Sequence, residues 1–191
     1  MDWMEDMQRR YRLRRQVLFD RDSPLLQPLC AALAAQDHRT LICWALELSQ
    51  DAEQRLRTLH PAERRAGEAI EAARLWARGE IRMPLARRKI LDCHAIAREW
   101  DDAETIALCH AIGQACATVH TGGHAIGLPL YELTALVRRY GPENCREPVE
   151  QRNLDYLQRL SDWQMQPLEG LRWAAFLLPQ QGKSHEDSPD A

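Results

Sequence analysis

The sequence lacks most of the patterns that mark a nucleotide-binding enzyme, a membrane protein or a nucleic-acid-binding protein. Its 191 residues contain only two phenylalanines, and they include no glycine-rich phosphate loop and no dinucleotide fingerprint. No stretch approaches the run of about 18 apolar residues that a membrane-spanning helix needs. The net charge of −3 is too small to favour a nucleic-acid partner. Composition therefore argues against all three classes.

The six cysteines are not arranged for disulfides. They form no CxxC pair, and most occupy apolar helical positions where a free thiol behaves as a small hydrophobic group. The beginning of the chain, MDWMEDMQRRYRLRR, is charged throughout and does not resemble a signal peptide. We therefore predict a reduced, cytoplasmic protein with no membrane partner.

What the chain does contain is apolar residues at helical spacing. Hydrophobic residues make up 45% of the sequence and charged residues 28%, which is a globular composition. Asp37 can cap a helix whose Leu41, Trp44 and Leu48 lie on one face, and no stretch alternates with the period of a strand. Most predicted links are short, so neighbouring helices should pack antiparallel. We predict a single all-α domain of about eight helices, either a multi-helix bundle or a short stack of helical hairpins.

Local signals predict several helix boundaries. Helical spacing favours a first helix from Met1 to Phe19, and Asp101 with Glu104 three residues later resembles a capping box. Gly79 is placed to end a helix in a left-handed conformation. The stretch from Pro167 to Leu178 is predicted to form a last short helix.

Three side chains near the middle of the chain have a spacing that could serve a metal ion. Cys116, His120 and His124 lie four residues apart, so an unbroken helix would align them on one face. Zinc binds Cys and His ligands at about 2.0–2.3 Å. His94 and His110 are candidates for further ligands. One hypothesis is therefore a metal-binding helical bundle or a metal-dependent enzyme.

A structural interpretation of the same segment is favoured. Gly122-Gly123 separates two of the histidines and predicts that the helix ends there, and no glutamate between them could act as a base. A single inward stripe accounts for the residues instead, with His120 as a buried, hydrogen-bonded histidine: Cys109, Ile112, Gly113, Cys116 and His120. We therefore predict no metal ligand, no cofactor and no catalytic residue.

Small residues dominate the helix that carries this stripe. They leave little side chain on two of its faces: Ala103, Ala107, Ala111, Gly113, Ala115 and Ala117. Close packing would then let large side chains approach its backbone, and the candidates are Trp44, Trp76, Trp100 and Tyr131. A side chain added at Gly113 should overpack the bundle.

The run Gln8–Arg15, QRRYRLRR, is the most basic stretch of the chain. It could contact a partner or an anionic ligand. A solvated helix face beside Asp2, Glu5 and Asp6 is the favoured interpretation.

Three segments resemble the immunity-protein-5-like family, the immunity proteins of bacterial polymorphic toxin systems. The segments are AIEAARLWARGEI (69–81), ARRKILDCHAIARE (86–99) and AIGQACATVHTGGHAIGLPLYELTAL (111–136). The matching positions are Trp76, Ala77, Gly79 and Glu80, then His94, Ala95, Ala97 and Arg98, then Gly113, Ala117, Thr118, His120, His124, Ala125 and Tyr131. The resemblance covers roughly residues 37–139 of the chain.

The resemblance implies a small helical bacterial protein that binds and neutralises a toxin or effector protein without catalysing a reaction. The predicted layout is a helical extension over 1–36, a core over 37–140 that resembles the family, further helices over 141–178 and a disordered acidic tail over 179–191. The implied partner is a cognate toxin, contacted through charged helix faces and the terminal extensions. The chain could also form a homodimer. An alternative function is that of a helical scaffold or regulatory module with no toxin connection.

Overall fold

The computed structural model describes residues 2–178, which form eight α-helices joined mostly by short links. The helices are α1 (Trp3–Arg12), α2 (Gln27–Ala34), α3 (His38–Leu59), α4 (Arg65–Ala77), α5 (Met83–Ile96), α6 (Ala103–Ala117), α7 (Gly127–Tyr140) and α8 (Arg146–Gln164). Two 3-10 turns cover Gly122–His124 and Ala175–Leu177. No strand occurs in this range, so the all-α prediction is confirmed. The tail predicted at 179–191 lies outside the described residues.

The long helix α3 passes between two hydrophobic cores. Its Trp44 and Leu48 belong to the core that α1, α2, α7 and α8 build. Its Ile42 and Leu56 belong to the core that α4, α5 and α6 build. Trp44 is fully buried and donates its indole N–H to the backbone oxygen of Tyr156 on α8, at 3.0 Å. One amphipathic helix with two buried faces therefore joins both halves. Across residues 2–178, no helix combines the length and the apolar character needed to span a bilayer.

Helix α1 ends at Arg12, so the prediction of a helix as far as Phe19 is wrong. Arg14 has a φ of 54°, in the left-handed region. Around it, Arg15 N–H donates to Arg10 O at 3.1 Å and Arg14 N–H donates to Tyr11 O at 2.9 Å. These two bonds form a Schellman motif, which normally places glycine at the left-handed position. The chain turns there and buries Phe19 in an extended segment.

Two other predicted boundaries differ in the structure. Asp102, not Asp101, caps α6, because its carboxylate accepts the Thr105 N–H at 2.7 Å. The stretch from Pro167 to Leu178 forms only a 3-10 turn, since its backbone bonds to another element: Ala174 N–H donates to Ala77 O at 2.7 Å. The predicted caps at Asp37 and Gly79 are confirmed.

Helices α6 and α7 are antiparallel neighbours that approach closely along their small residues. A Cβ added to Gly127 on α7 would lie 2.6 Å from Gln114 Oε1 on α6. The prediction that Trp100 packs inward on the core is wrong. Helix α5 ends at Ile96, and the Trp100 ring instead remains 40% exposed and lies on His60 with a centroid distance of 3.8 Å.

Candidate functional site

The structure does not assemble the proposed Cys–His–His site. Cys116 is fully buried on α6, whereas His120 is exposed beyond the helix end and stacks on Trp76 with a centroid distance of 6.3 Å. His124 lies in the 3-10 turn, where its Nδ1 is 2.9 Å from Gln114 Oε1. Within residues 2–178, no three His, Cys, Asp or Glu side chains form a group that could hold a metal ion.

The prediction that the His120 side chain is buried is wrong. Helix α6 ends at Ala117, three residues earlier than His120, so His120 leaves the helical stripe that would have carried it inward. Cys109, Ile112, Gly113 and Cys116 are buried, as the stripe requires.

The histidines that do meet are His94 on α5 and His110 on α6. Their Nδ1 atoms are 3.1 Å apart, so one ring donates its N–H to the other. On the far side, His110 Nε2 is 3.3 Å from the Gln16 side-chain amide. The Tyr131 ring of α7 lies next to His110, with a centroid distance of 5.1 Å. Four segments that are distant in the sequence therefore meet around one imidazole pair.

Gly113 makes this pairing sterically feasible. A Cβ at Gly113 would come within 2.3 Å of His94 Cε1 and within 2.4 Å of His94 Nε2. The His94 ring therefore occupies the volume that a side chain at position 113 would fill. The close approach predicted at Gly113 is therefore observed. The side chain that approaches Gly113 is the imidazole of His94, and not that of Trp44, Trp76, Trp100 or Tyr131.

The environment favours neutral imidazoles in the pair. Burial lowers the pKa of His94, with further lowering from the positive charge that His110, Arg98 or His124 can carry. Burial also lowers the pKa of His110. For His124, burial again lowers the pKa, assisted by His120 and Arg21. An N–H···N contact between two neutral rings matches these directions, because two charged rings at 3.1 Å would repel.

Four of the residues that carry the family resemblance meet at a separate cavity, which neither His94 nor His110 lines. Trp76, His120 and His124 line a cavity of about 210 Å³ together with Met83, Arg87, Ile90 and Ala117. Cavities that bind drug-sized molecules measure about 300–1,000 Å³, so this one is small for such a ligand. The contacts that surround it join α4, α5, α6 and the 3-10 turn. The motif therefore lies where these elements pack.

The cysteine thiols are poorly suited to nucleophilic chemistry. Burial raises the pKa of Cys43, Cys109 and Cys116 to about 12, and it raises the pKa of Cys93 as well. A nucleophilic cysteine needs a lowered pKa, because the thiolate is the reactive form. Cys43 lines a cavity of about 480 Å³ between α3, α4 and the C-terminal segment, and its raised pKa keeps the thiol protonated there.

A buried ion-pair network between α7 and α8 escaped the sequence analysis. Glu132 is buried and accepts two hydrogen bonds from Arg152 Nη2, at 2.8 and 3.1 Å, and one from the Tyr156 hydroxyl at 2.7 Å. Arg152 also contacts Asp51 of α3 at 2.9 Å. Burial raises the pKa of the Tyr156 hydroxyl, which remains a donor. The signal in the sequence was one glutamate, Glu132, on an otherwise apolar face of α7. Its partners Arg152 and Tyr156 lie four residues apart on α8.

The described residues form an all-α protein. Its helices are joined by contacts such as the His94–His110 pair and the Glu132–Arg152 ion pair. The family described as "Imm-5 like putative immunity protein" matches residues 31–159, more than half of the chain. The chain belongs to that family. No curated protein and no solved structure matches the chain. The match is wider than the stretch predicted from the sequence, and it leaves α1 and the turn after it outside.

Proposed function

We propose that this chain is an immunity protein that binds a cognate toxin of a bacterial polymorphic toxin system and neutralises it in the cytoplasm. The observation that carries the proposal is the family match over residues 31–159. In the proposal the chain acts by covering the toxin's active site or blocking its docking, and it catalyses no reaction. Such a complex would bury an interface of about 1,600 Å² in total.

Two features of the structure support a binding role. His94 and His110 join α5 to α6, and the directions of the pKa shifts of His94, His110 and Cys116 disfavour a charged imidazole or a thiolate there. The helices are also held by polar contacts between distant segments, such as Glu132 with Arg152. A preorganised scaffold of this kind presents a surface at a low cost in conformational entropy.

Coexpression in a bacterial host provides the test. The toxic domain encoded beside this gene is induced with and without the full chain, and growth is followed. We expect growth to be restored only in the presence of the chain, and the purified pair to coelute in size exclusion. A domain that kills the host equally well in both cases, without coelution, would reject the proposal.

The same chromatography, combined with light scattering, also decides whether the chain alone forms a homodimer. A matched control uses a chain with an unrelated immunity specificity, which should give no protection. Protection by that control would show a nonspecific effect.

A further inference from the structure

The turn after α1 and the end of α7 form one basic surface. Arg138 Nη2 donates to the backbone oxygen of Arg15 at 2.8 Å, although 123 residues separate them. The Arg138 guanidinium also lies 4.8 Å from the centre of the Tyr11 ring. Nearby, Leu18 N–H donates to Thr134 Oγ1 at 3.0 Å. We name this surface the arginine face and define it as Arg12, Leu13, Arg14, Arg15 and Arg138.

The four arginines of this face form no ion pair with any carboxylate in the part of the chain that the structure describes. The preceding arginines of the same basic run behave differently, because Arg9 and Arg10 both pair with Asp6. A solvated helix face with acidic neighbours therefore explains Arg9 and Arg10, but not the arginines that follow them. Within residues 2–178, no carboxylate neutralises the guanidinium groups that follow.

Apolar and aromatic groups accompany the charge. Leu13 is 58% exposed. The half-buried Tyr11 ring lies beneath the Arg138 guanidinium. Arginine and aromatic residues are enriched at protein–protein interfaces and dominate their binding energy. The composition of the arginine face is therefore that of an interface.

The backbone at Arg14 is the most specific feature. A left-handed conformation favours glycine, because a Cβ clashes with the following carbonyl oxygen. The negative ends of α1 and α7 explain basic residues at Arg12, Arg138 and Arg139. They do not explain a long cationic side chain at the one turn position where glycine is favoured. The turn itself therefore does not call for the side chain of Arg14, which is exposed.

The chemistry of the face favours an acidic protein over a membrane or a nucleic acid. A membrane-bound α1 would need a free apolar side, but its Trp3, Met4 and Met7 are buried in the core. The net charge of the whole chain is −3, which opposes nonspecific binding to nucleic acid. A basic patch on a chain of negative net charge attracts an acidic partner surface and orients that partner as the two associate.

We propose that the arginine face binds an acidic surface of the cognate toxin. The proposal rests on the proposed function and adds to it the location and the charge of the interface. Arg12, Leu13, Arg14 and Arg15 lie before residue 31, where the family match begins. They are placed to give this chain a partner preference of its own.

The test measures binding of the full chain to the toxic domain encoded beside its gene, by isothermal titration calorimetry at two salt concentrations. The variants are Arg14→Gly and the pair Arg12→Gln with Arg15→Gln. The matched control is Arg82→Gln with Arg88→Gln, two exposed arginines at the start of α5 and within it, which gives the same change in charge as the double variant. We expect Kd to rise by about tenfold or more in the first two proteins and by less than about twofold in the control. The salt dependence should weaken in parallel.

A second series uses three fixed probes: poly-L-glutamate, a single-stranded oligonucleotide and vesicles containing phosphatidylserine. We expect only the polyglutamate to bind, and Arg12→Gln with Arg15→Gln to weaken that binding. If the wild type and these variants bind the toxic domain equally tightly, the arginine face is not the interface, and the proposed function is retained. Failure of the toxic domain to bind the wild type, combined with binding of polyglutamate through this face, would reject the proposed function and the toxin as occupant, and would retain the face as a site for an acidic protein. Preferential binding of the oligonucleotide or the vesicles, or of no probe, would overturn the face as an acidic-protein site.

Discussion

The imidazole ring of His94 fills the space that a side chain at Gly113 would need. A Cβ at that position would approach His94 Cε1 to 2.3 Å, a distance that real Cβ contacts do not show. The His94 ring is itself held by His110 through the contact between their Nδ1 atoms. Glycine is therefore required by packing across α5 and α6.

Replacing Gly113 by leucine should destabilise the protein by roughly 1–3 kcal/mol or more, because the ring of His94 must be displaced. The free energy of unfolding in urea is the measurement. Gly170→Ala is the control, because nothing lies within 4 Å of a Cβ added at Gly170. If His94 is the obstacle, Gly113→Ala should cost less in a His94→Ala background than in the wild type. Equal costs in both backgrounds would contradict the steric explanation.

The histidine pair should make stability depend on pH below neutrality. Burial lowers the pKa of His94 and of His110 below the ordinary value of 6.5, so the unfolded chain binds more protons than the folded one as the pH falls. Stability is therefore fully present above pH 6.5 and is lost as the pH falls through the folded values. We expect urea unfolding to show a lower stability at pH 5.5 than at pH 7.5.

Replacing His110 by glutamine should reduce that loss, because it removes one titrating ring and one cause of the lowered pKa of His94. His94→Gln should act in the same direction. A difference between pH 7.5 and 5.5 that is as large in both variants as in the wild type would exclude the pair as its source.

Removing Glu132 should be among the most destabilising single changes in the described chain. Glu132→Leu leaves Arg152 buried without its main counter-ion and leaves the Tyr156 hydroxyl without its acceptor, at a cost of roughly 3–5 kcal/mol. The free energy of unfolding again provides the measurement.

Combining this change with Arg152→Met and Tyr156→Phe should regain most of the loss, since no buried charge is then left unpaired. The control is Lys89→Ala, which removes the exposed ion pair with Glu68 and should cost less than about 1 kcal/mol. A triple variant that is less stable than Glu132→Leu would contradict this account.

The sequence predicted the features that depend on neighbouring residues. Asp37 was identified as a cap because its carboxylate needs only the N–H groups of the next turn. Gly79 ends its helix with a positive φ value, as a glycine placed just after an apolar stripe should. The eight helices and the absence of strands in residues 2–178 follow from the same local signals.

Features that depend on the register between helices could not be predicted. His94 and His110 were named separately as candidate ligands, but their pairing requires the packing of α5 on α6. Glu132 and Arg152 are 20 residues apart, on two helices whose relative rotation the sequence does not specify. The end of α1 was missed because Arg14 supplies no glycine signal at the turn.

The turn at Arg14 makes a prediction about stability that is separate from binding. Arg14→Gly should be more stable than Arg14→Ala by about 1 kcal/mol, because glycine adopts a φ of 54° without the strain that a Cβ introduces. The order should reverse two residues earlier: at Arg12, the last residue of α1, Arg12→Ala should be more stable than Arg12→Gly, since alanine favours the helix. Thermal and urea unfolding of the four variants provide the comparison. If alanine is preferred at both positions, the left-handed turn is absent in solution, and the argument that the Arg14 side chain is kept for a partner fails with it.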